Sequence, residues 1–350
     1  MELAEISKGT VGKRTSSNLG PLILKEMKGG KKNRKQYIKL KIAELAVKIG
    51  PQHNRLFLVG GSWRAFAKID MLRRGYPLHV MHEYRISISS VKKTIKYIES
   101  NDLNEIRLKC GITAARIGLV PIASEVLTRL VSTFKPKDIA ISSYGLREGL
   151  LYEKMPQELR DRDPLIEACY FSEAKDARIP GSGNRLYKFV LPLFSNSNEE
   201  LKRLIHAACL LHDVSWRAHP DYRAEVCFDN ATRSNLGGLK HSERIFLGIS
   251  LMYRYRNSPT GSQFENLVDL LKPELVLKAE ILGKAMRLGA MLWVNDSEQP
   301  AFLHWKPRSK KLALKLNAYG KNLYGEVAAA RFRSLAKSLE SVECGVKFIK

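Results

Sequence analysis

The chain has 350 residues, 44% hydrophobic and 27% charged, a length that suits two domains and the make-up of a soluble globular protein. No apolar run approaches the ~18–20 residues of a membrane span, and no membrane partner is expected. Charge is the unusual quantity: 59 Lys and Arg against 35 Asp and Glu, a formal +24, favour an anionic partner without choosing among nucleic acid, anionic lipid and a phosphorylated substrate.

The start, Met1-Glu2-Leu3-Ala4-Glu5, lacks the basic-then-apolar order of a signal peptide. Residues 1–35 are polar and basic and are expected to be partly disordered, with Lys28 to Lys35 a solvated loop. Leu40, Ile42, Ala43, Leu45, Ala46 and Ile49 fall at helical spacing, and Gly50-Pro51 ends that helix. Leu56 to Val59 is a short buried-strand run, followed by the turn Gly60-Gly61 and a helix that Ser62 is placed to cap and that stops near Gly75. His79 and His82 stand three apart, a metal-compatible spacing with no third ligand nearby, and read as structural histidines. A helix over Ser90–Glu99, a second over Ala123–Phe134 and a strand over Asp138–Ser142 come next. The turn Ser143-Tyr144-Gly145-Leu146-Arg147-Glu148-Gly149 closes an α/β region, 36–160.

From 161 onward the pattern becomes helical. Helices are expected over 199–214, 241–256 and 264–294, the last interrupted at Pro273, with a final one over 324–340. Residues 302–316 alternate and read as a hairpin over the basic tip Lys306 to Lys311. Five scattered cysteines (Cys110, Cys169, Cys209, Cys227, Cys344) never form CxxC, which argues against a disulfide framework or thiolate zinc and for a cytoplasmic setting.

Two stretches share a layout suited to phosphate, each a strand ending in a small-residue turn whose unpaired N–H groups face a ligand. They nominate Gly60, Gly61, Ser62, Arg64, Ser143, Gly145 and Arg147 as phosphate contacts, with each guanidinium able to grip two oxygens. Arg147 beside Glu148 also reads as a structural ion pair. In the helical half, His212-Asp213 is a candidate divalent-metal pair, the alternative being a buried pair satisfying each other. Walker, HExxH and GxSxG motifs are all absent.

The chain resembles the exopolyphosphatase and guanosine pentaphosphate phosphatase family, in its alphaproteobacterial type. The resemblance rests on Val59-Gly60-Gly61-Ser62-Trp63-Arg64-Ala65, Tyr76-Pro77-Leu78-His79, Arg116 to Leu127, Ser143 to Gly149 and Ala207 to Asp213. It implies a partial actin-like (ribonuclease H-like) α/β lobe over 36–160 and a helical, HD-like domain over 161–350. It also implies magnesium-dependent release of terminal phosphate from polyphosphate. The family's opening phosphate loop and catalytic glutamate have no counterpart here, nor does the Asp-Gly-Gly-Gly-Ser stretch expected just before Ser17. The expectation is therefore a family hydrolase lacking its N-terminal lobe, with the base on that lobe and Glu148 the weak substitute. A homodimer, or a complementing N-terminal lobe, is the implied protein partner. Two other readings stay open: a non-catalytic polyanion or nucleic-acid binding remnant, and hydrolysis of guanosine pentaphosphate.

Overall fold

Alternating apolar runs punctuated by glycine build the first half of the chain in the computed structural model, which describes residues 1–7, 10–50, 54–292 and 300–349. The chain divides into two units, Met1–Met155 and Pro156–Lys350. Pro51 of the expected helix stop, and residues 293 and 294 of the expected long helix, lie outside the described residues.

The first unit opens with a hairpin, β1 (Glu2–Ser7) and β2 (Thr10–Ser16), then α1 (Pro21–Glu26) and a long basic helix, α2 (Gly30–Ile49). The sequence reading had only a basic, partly disordered start here. Cross-strand pairing and contact with α2 order the hairpin although almost all its side chains are exposed, so hydrophobic alternation could not reveal it. β3 (Arg55–Val59), α3 (Gly61–Arg74), β4 (Tyr84–Ser87), α4 (Ile88–Ser100), α5 (Leu103–Cys110), α6 (Ala114–Ile117), α7 (Val120–Phe134), β5 (Asp138–Ser142) and α8 (Leu146–Lys154) complete the unit.

The sheet order is β3-β5-β4, with β3 parallel and β4 antiparallel to β5. β5 is central, which explains its run of buried Ile139, Ala140 and Ile141. Phe66, Ile69, Ile86, Val91, Val120, Leu127 and Ile139 pack into one core on the α3 and α7 side. A second core joins α1, α2 and α7 through Leu24, Ile38, Ile42, Leu45, Val126 and Leu130. The run 114–134 is apolar, with a mean hydropathy of 1.4, but half of it is buried within the protein. On the buried face of α3, Asp70 accepts hydrogen bonds from Tyr84, Ser90, Thr94 and Arg73. Burial pushes this carboxyl up, but those donations outweigh it and hold it below the usual carboxylate range.

The second unit is mainly helical: α9 (Gln157–Arg160), α10 (Pro164–Asp176), α11 (Ser182–Val190), α12 (Glu199–Leu211), α13 (Arg223–Arg233), α14 (His241–Tyr255) and α15 (Pro273–Leu292). α14 is buried along nearly its whole length between α12, α13 and α15. α15 packs against it closely at Gly283, where a Cβ would lie 2.5 Å from the Ser250 carbonyl oxygen. Pro273 starts α15 rather than interrupting it, as a proline at the first helical position should. The expected hairpin is present as β6 (Ala301–Lys306) and β7 (Lys311–Leu316). After α16 (Ala318–Leu323) and α17 (Glu326–Ser338), β8 (Glu343–Phe348) returns parallel to β7, a strand that the mostly exposed ECGVKF run did not signal.

Candidate functional site

The two glycine turns stand side by side because the strands that deliver them are paired. Val59, the last residue of β3, is in register with Ser142, the last residue of β5. Both strands are parallel, so both turns emerge at one edge of the sheet, where α/β folds receive ligands. Gly60 holds φ 133° and ψ 166°, a region open only to glycine, and is the N-cap of α3. Ser62 therefore sits inside the first helical turn and does not cap it, contrary to the sequence expectation. Arg64 N is the first amide to bond back into the helix, to Gly60 O at 3.1 Å, so the amides of Gly61, Ser62 and Trp63 have no intrahelical acceptor.

The second turn leads into α8 through Gly145. Ser142 Oγ accepts from Tyr144 N at 3.1 Å and pins the turn, and the Tyr144 ring packs on His82 with centroids 4.5 Å apart. Arg64 joins the two turns, its Nη1 donating to Ser143 O at 3.4 Å. Arg147 is exposed on the first turn of α8. The structure thus brings Gly60, Gly61, Ser62, Arg64, Ser143, Gly145 and Arg147 into one neighbourhood.

It also adds Arg116, whose Nε lies 3.4 Å from the position a Cβ on Gly61 would take. The sequence carried only the family stretch around Arg116 as a hint, with no sign that α6 would point it at this turn. An open cavity of about 1160 Å³ adjoins the site, running from Gly60, Gly61 and Ser62 along β3 towards β1.

Glu148 caps its own helix. Its Oε2 accepts from Gly145 N at 2.6 Å, one half of a capping box, since glycine has no side chain to return the bond. The backbone N–H groups of Glu148 and Gly145, then the charges of Arg147 and Arg64, hold its carboxyl below the usual range. A carboxylate so held is a weak proton acceptor. Chemically, the neighbourhood offers amide and guanidinium donors to an anion and little to a proton.

Magnesium prefers carboxylate and phosphate oxygens. No group of three or more His, Cys, Asp and Glu side chains fit to hold a metal comes together among the described residues. The donors at the turns therefore do not fit a resident magnesium, and no step is assigned to one.

His212 and Asp213 turn away from each other in function. Asp213 is gripped by Arg178, which donates from Nη2 at 2.5 Å, from Nε at 2.8 Å and from its backbone N at 3.2 Å. Buried His212 instead pairs its Nδ1 with Cys209 O at 2.7 Å. The mutually satisfied His-Asp pair of the sequence reading is thus replaced by a carboxylate–guanidinium pair. The reason lies in α10's end, which brings Arg178 in from 35 residues earlier, beyond the reach of local pattern.

Burial, with Arg254 nearby, brings the His212 imidazole down to about 4. The unfolded chain takes up a proton near pH 6.5 and the folded one does not until about 4. Stability from this group is thus complete above pH 6.5 and falls as pH drops towards 4. The melting temperature of the helical unit should decline over that window, and His212→Asn should flatten the decline. A slope unchanged by the substitution would remove His212 as its source.

Two parallel strands ending in glycine turns at one edge of a sheet, followed by a helical unit, place the chain in the α/β class. Comparison with known families makes this specific. The Ppx/GppA phosphatase family model matches residues 1–158, and the exopolyphosphatase C-terminal model matches 182–342. The chain belongs to the Ppx/GppA phosphatase family. No curated protein matches it in sequence.

Solved structures similar to it include the type II variant of the Aquifex aeolicus Ppx/GppA phosphatase, at 14% identity and a TM-score of 0.38, covering 44% of this chain and 53% of that one. An exopolyphosphatase from Cytophaga hutchinsonii is 16% identical with a TM-score of 0.38, covering 43% of this chain and 52% of that one. This chain thus spans about half the length of the solved relatives it matches.

Proposed function

We propose that the chain is a phosphate-holding member of the exopolyphosphatase type, acting on inorganic polyphosphate. The observation that carries this reading is the pair of strand-end turns bridged by Arg64, in a chain matched by the family's models over 1–158 and 182–342. Charge supports it: residues 1–155 hold 29 Lys and Arg against 13 Asp and Glu, a field suited to a chain of phosphates.

Phosphoanhydride hydrolysis also needs a positioned water and a base. The turns of this chain offer no free base, since Glu148 is committed to capping α8. The base and a first phosphate loop belong to a complementing N-terminal lobe, and magnesium enters carried on the substrate's own phosphate oxygens.

Phosphate release from long-chain polyphosphate, with and without magnesium, tests this reading alongside equilibrium binding. The 350-residue chain should bind and release almost nothing, and gain turnover when the lobe of a relative is added. Robust magnesium-dependent release by the chain alone would overturn this and return the base's role to Glu148. Guanosine pentaphosphate as competitor then separates the two family substrates.

A further inference from the structure

The sheet of the helical unit ends on an open edge. Its order is β6-β7-β8, and no strand among the described residues pairs with the outer side of β8. Cys344, Val346 and Phe348 are in register with Leu312, Leu314 and Leu316 of β7, and so share one face of the sheet with them. The three leucines are buried, yet Cys344 and Phe348 are exposed, and so is Val342 just before the strand. The apolar face of the sheet thus runs on past the core that covers it. On the other face Glu343 pairs with Lys311 at 2.5 Å, but Lys347 stands beside Lys315, a like-charge pair that disfavours the strand.

The stretch Val342-Glu343-Cys344-Gly345-Val346-Lys347-Phe348 is complementary to itself. Laid antiparallel on a copy of itself and centred on Gly345, it sets Glu343 against Lys347 on the polar face, twice. On the apolar face it sets Cys344 against Val346 and Val342 against Phe348, each twice. The partners in every pair lie an even number of positions apart, so backbone groups that point outward on one copy meet those that point outward on the other. A slip of one residue would face Lys347 with Cys344 and lose both sets of pairs. Glycine in a strand often marks the close approach of another backbone. Within one chain nothing calls for Gly345, which has no positive φ and no atom within 4 Å of where a Cβ would lie.

We propose that β8 pairs antiparallel with β8 of a second copy of this chain about a two-fold axis at Gly345, joining two three-stranded sheets into one of six strands. A two-fold interface uses the same patch on both copies, so it requires the self-complementarity that this stretch has and that a foreign strand would not need. Charged residues on an edge strand guard it against pairing in general; here their order admits this one partner, and Glu343 of the second copy brings Lys347 the counter-charge that Lys315 denies it. An edge of six residues is small, which makes the dimer a concentration-dependent one. The surface uses none of the residues of the strand-end turns, and the proposal stands independently of phosphate binding and hydrolysis.

Sedimentation equilibrium of the full chain over a range of concentrations tests this, and the natural chain should show a monomer–dimer equilibrium. Lys347→Glu turns two attractions into repulsions and should weaken the dimer by about tenfold, even though it lowers the overall positive charge that keeps copies apart. Glu343→Lys/Lys347→Glu restores opposite charges and should return the affinity to within about threefold of the natural chain. In the proposed dimer the two Cys344 side chains are diagonal neighbours on one face, about 7–8 Å apart. A short bis-maleimide should therefore link two natural chains and fail to link Cys344→Ser, a reading that needs no charge variant to fold. A monomer at every concentration, a dimer indifferent to Lys347→Glu, a double variant no better than the single one, or a dimer without the Cys344 link would each overturn the proposal.

Discussion

Replacing Arg64 by alanine should weaken polyphosphate binding by roughly 10- to 100-fold while leaving the fold intact. Arg64 reaches across from α3 to Ser143 O, so its guanidinium stands where both turns meet. A hydrogen bond to a charged group is worth about 1.5–3 kcal/mol, and about 1.4 kcal/mol is a factor of ten in affinity. The fold should not suffer, because the one bond lost is a long 3.4 Å contact on a partly exposed side chain. Arg64→Lys should fall between the two, keeping the charge but losing the two-pronged geometry. Titration at fixed, low salt measures this, and an unchanged affinity for Arg64→Ala would remove the residue from the site.

Asp70→Ala should be the most destabilising single change in the first unit, by about 3–5 kcal/mol. The side chain is fully buried and gathers hydroxyls from Tyr84 at 2.6 Å and Ser90 at 2.7 Å, another from Thr94, and the Arg73 guanidinium at 2.9 Å. Alanine leaves those donors, and a partly buried cation, without an acceptor. A loss of that size takes a large share of a typical domain's ~5–15 kcal/mol.

Because the folded carboxyl lies below its unfolded value, its contribution is complete above about pH 4 and is lost as pH falls through the folded value. Asp70→Asn should keep part of the network and remove that acid dependence. Urea unfolding followed by Trp63 fluorescence reads both variants. A loss under about 1 kcal/mol for Asp70→Ala would mean the network contributes no more than an exposed ion pair.

Asp70 also shows where sequence reading stops. In Ile69-Asp70-Met71-Leu72-Arg73-Arg74 it looks like a surface acid with arginines three and four residues on, and nothing local says that β4 and α4 will close over it. The strand-end turns were legible because their signals are local: an apolar run, small residues, then helical spacing. Strand β5 was placed at Asp138–Ser142, as observed. β4 was not, since its four residues lie next to α4 and read as part of the approach to it.

Glu148 was visible as a carboxylate near a phosphate-type turn, but its capping bond to Gly145 emerges only once α8 is known to begin at Leu146.

The claim that the backbone of the two turns seats phosphate is open to a direct reading by amide NMR. On titration with tripolyphosphate, the amides of Gly61, Ser62 and Trp63, and those of Leu146 and Arg147 at the start of α8, should shift together and saturate at one affinity. In Arg64→Ala the same amides should shift only at much higher ligand concentration. Shifts confined to lysine-rich surface, with these five amides unmoved at saturation, would contradict the assignment of the phosphate seat to the turns after β3 and β5.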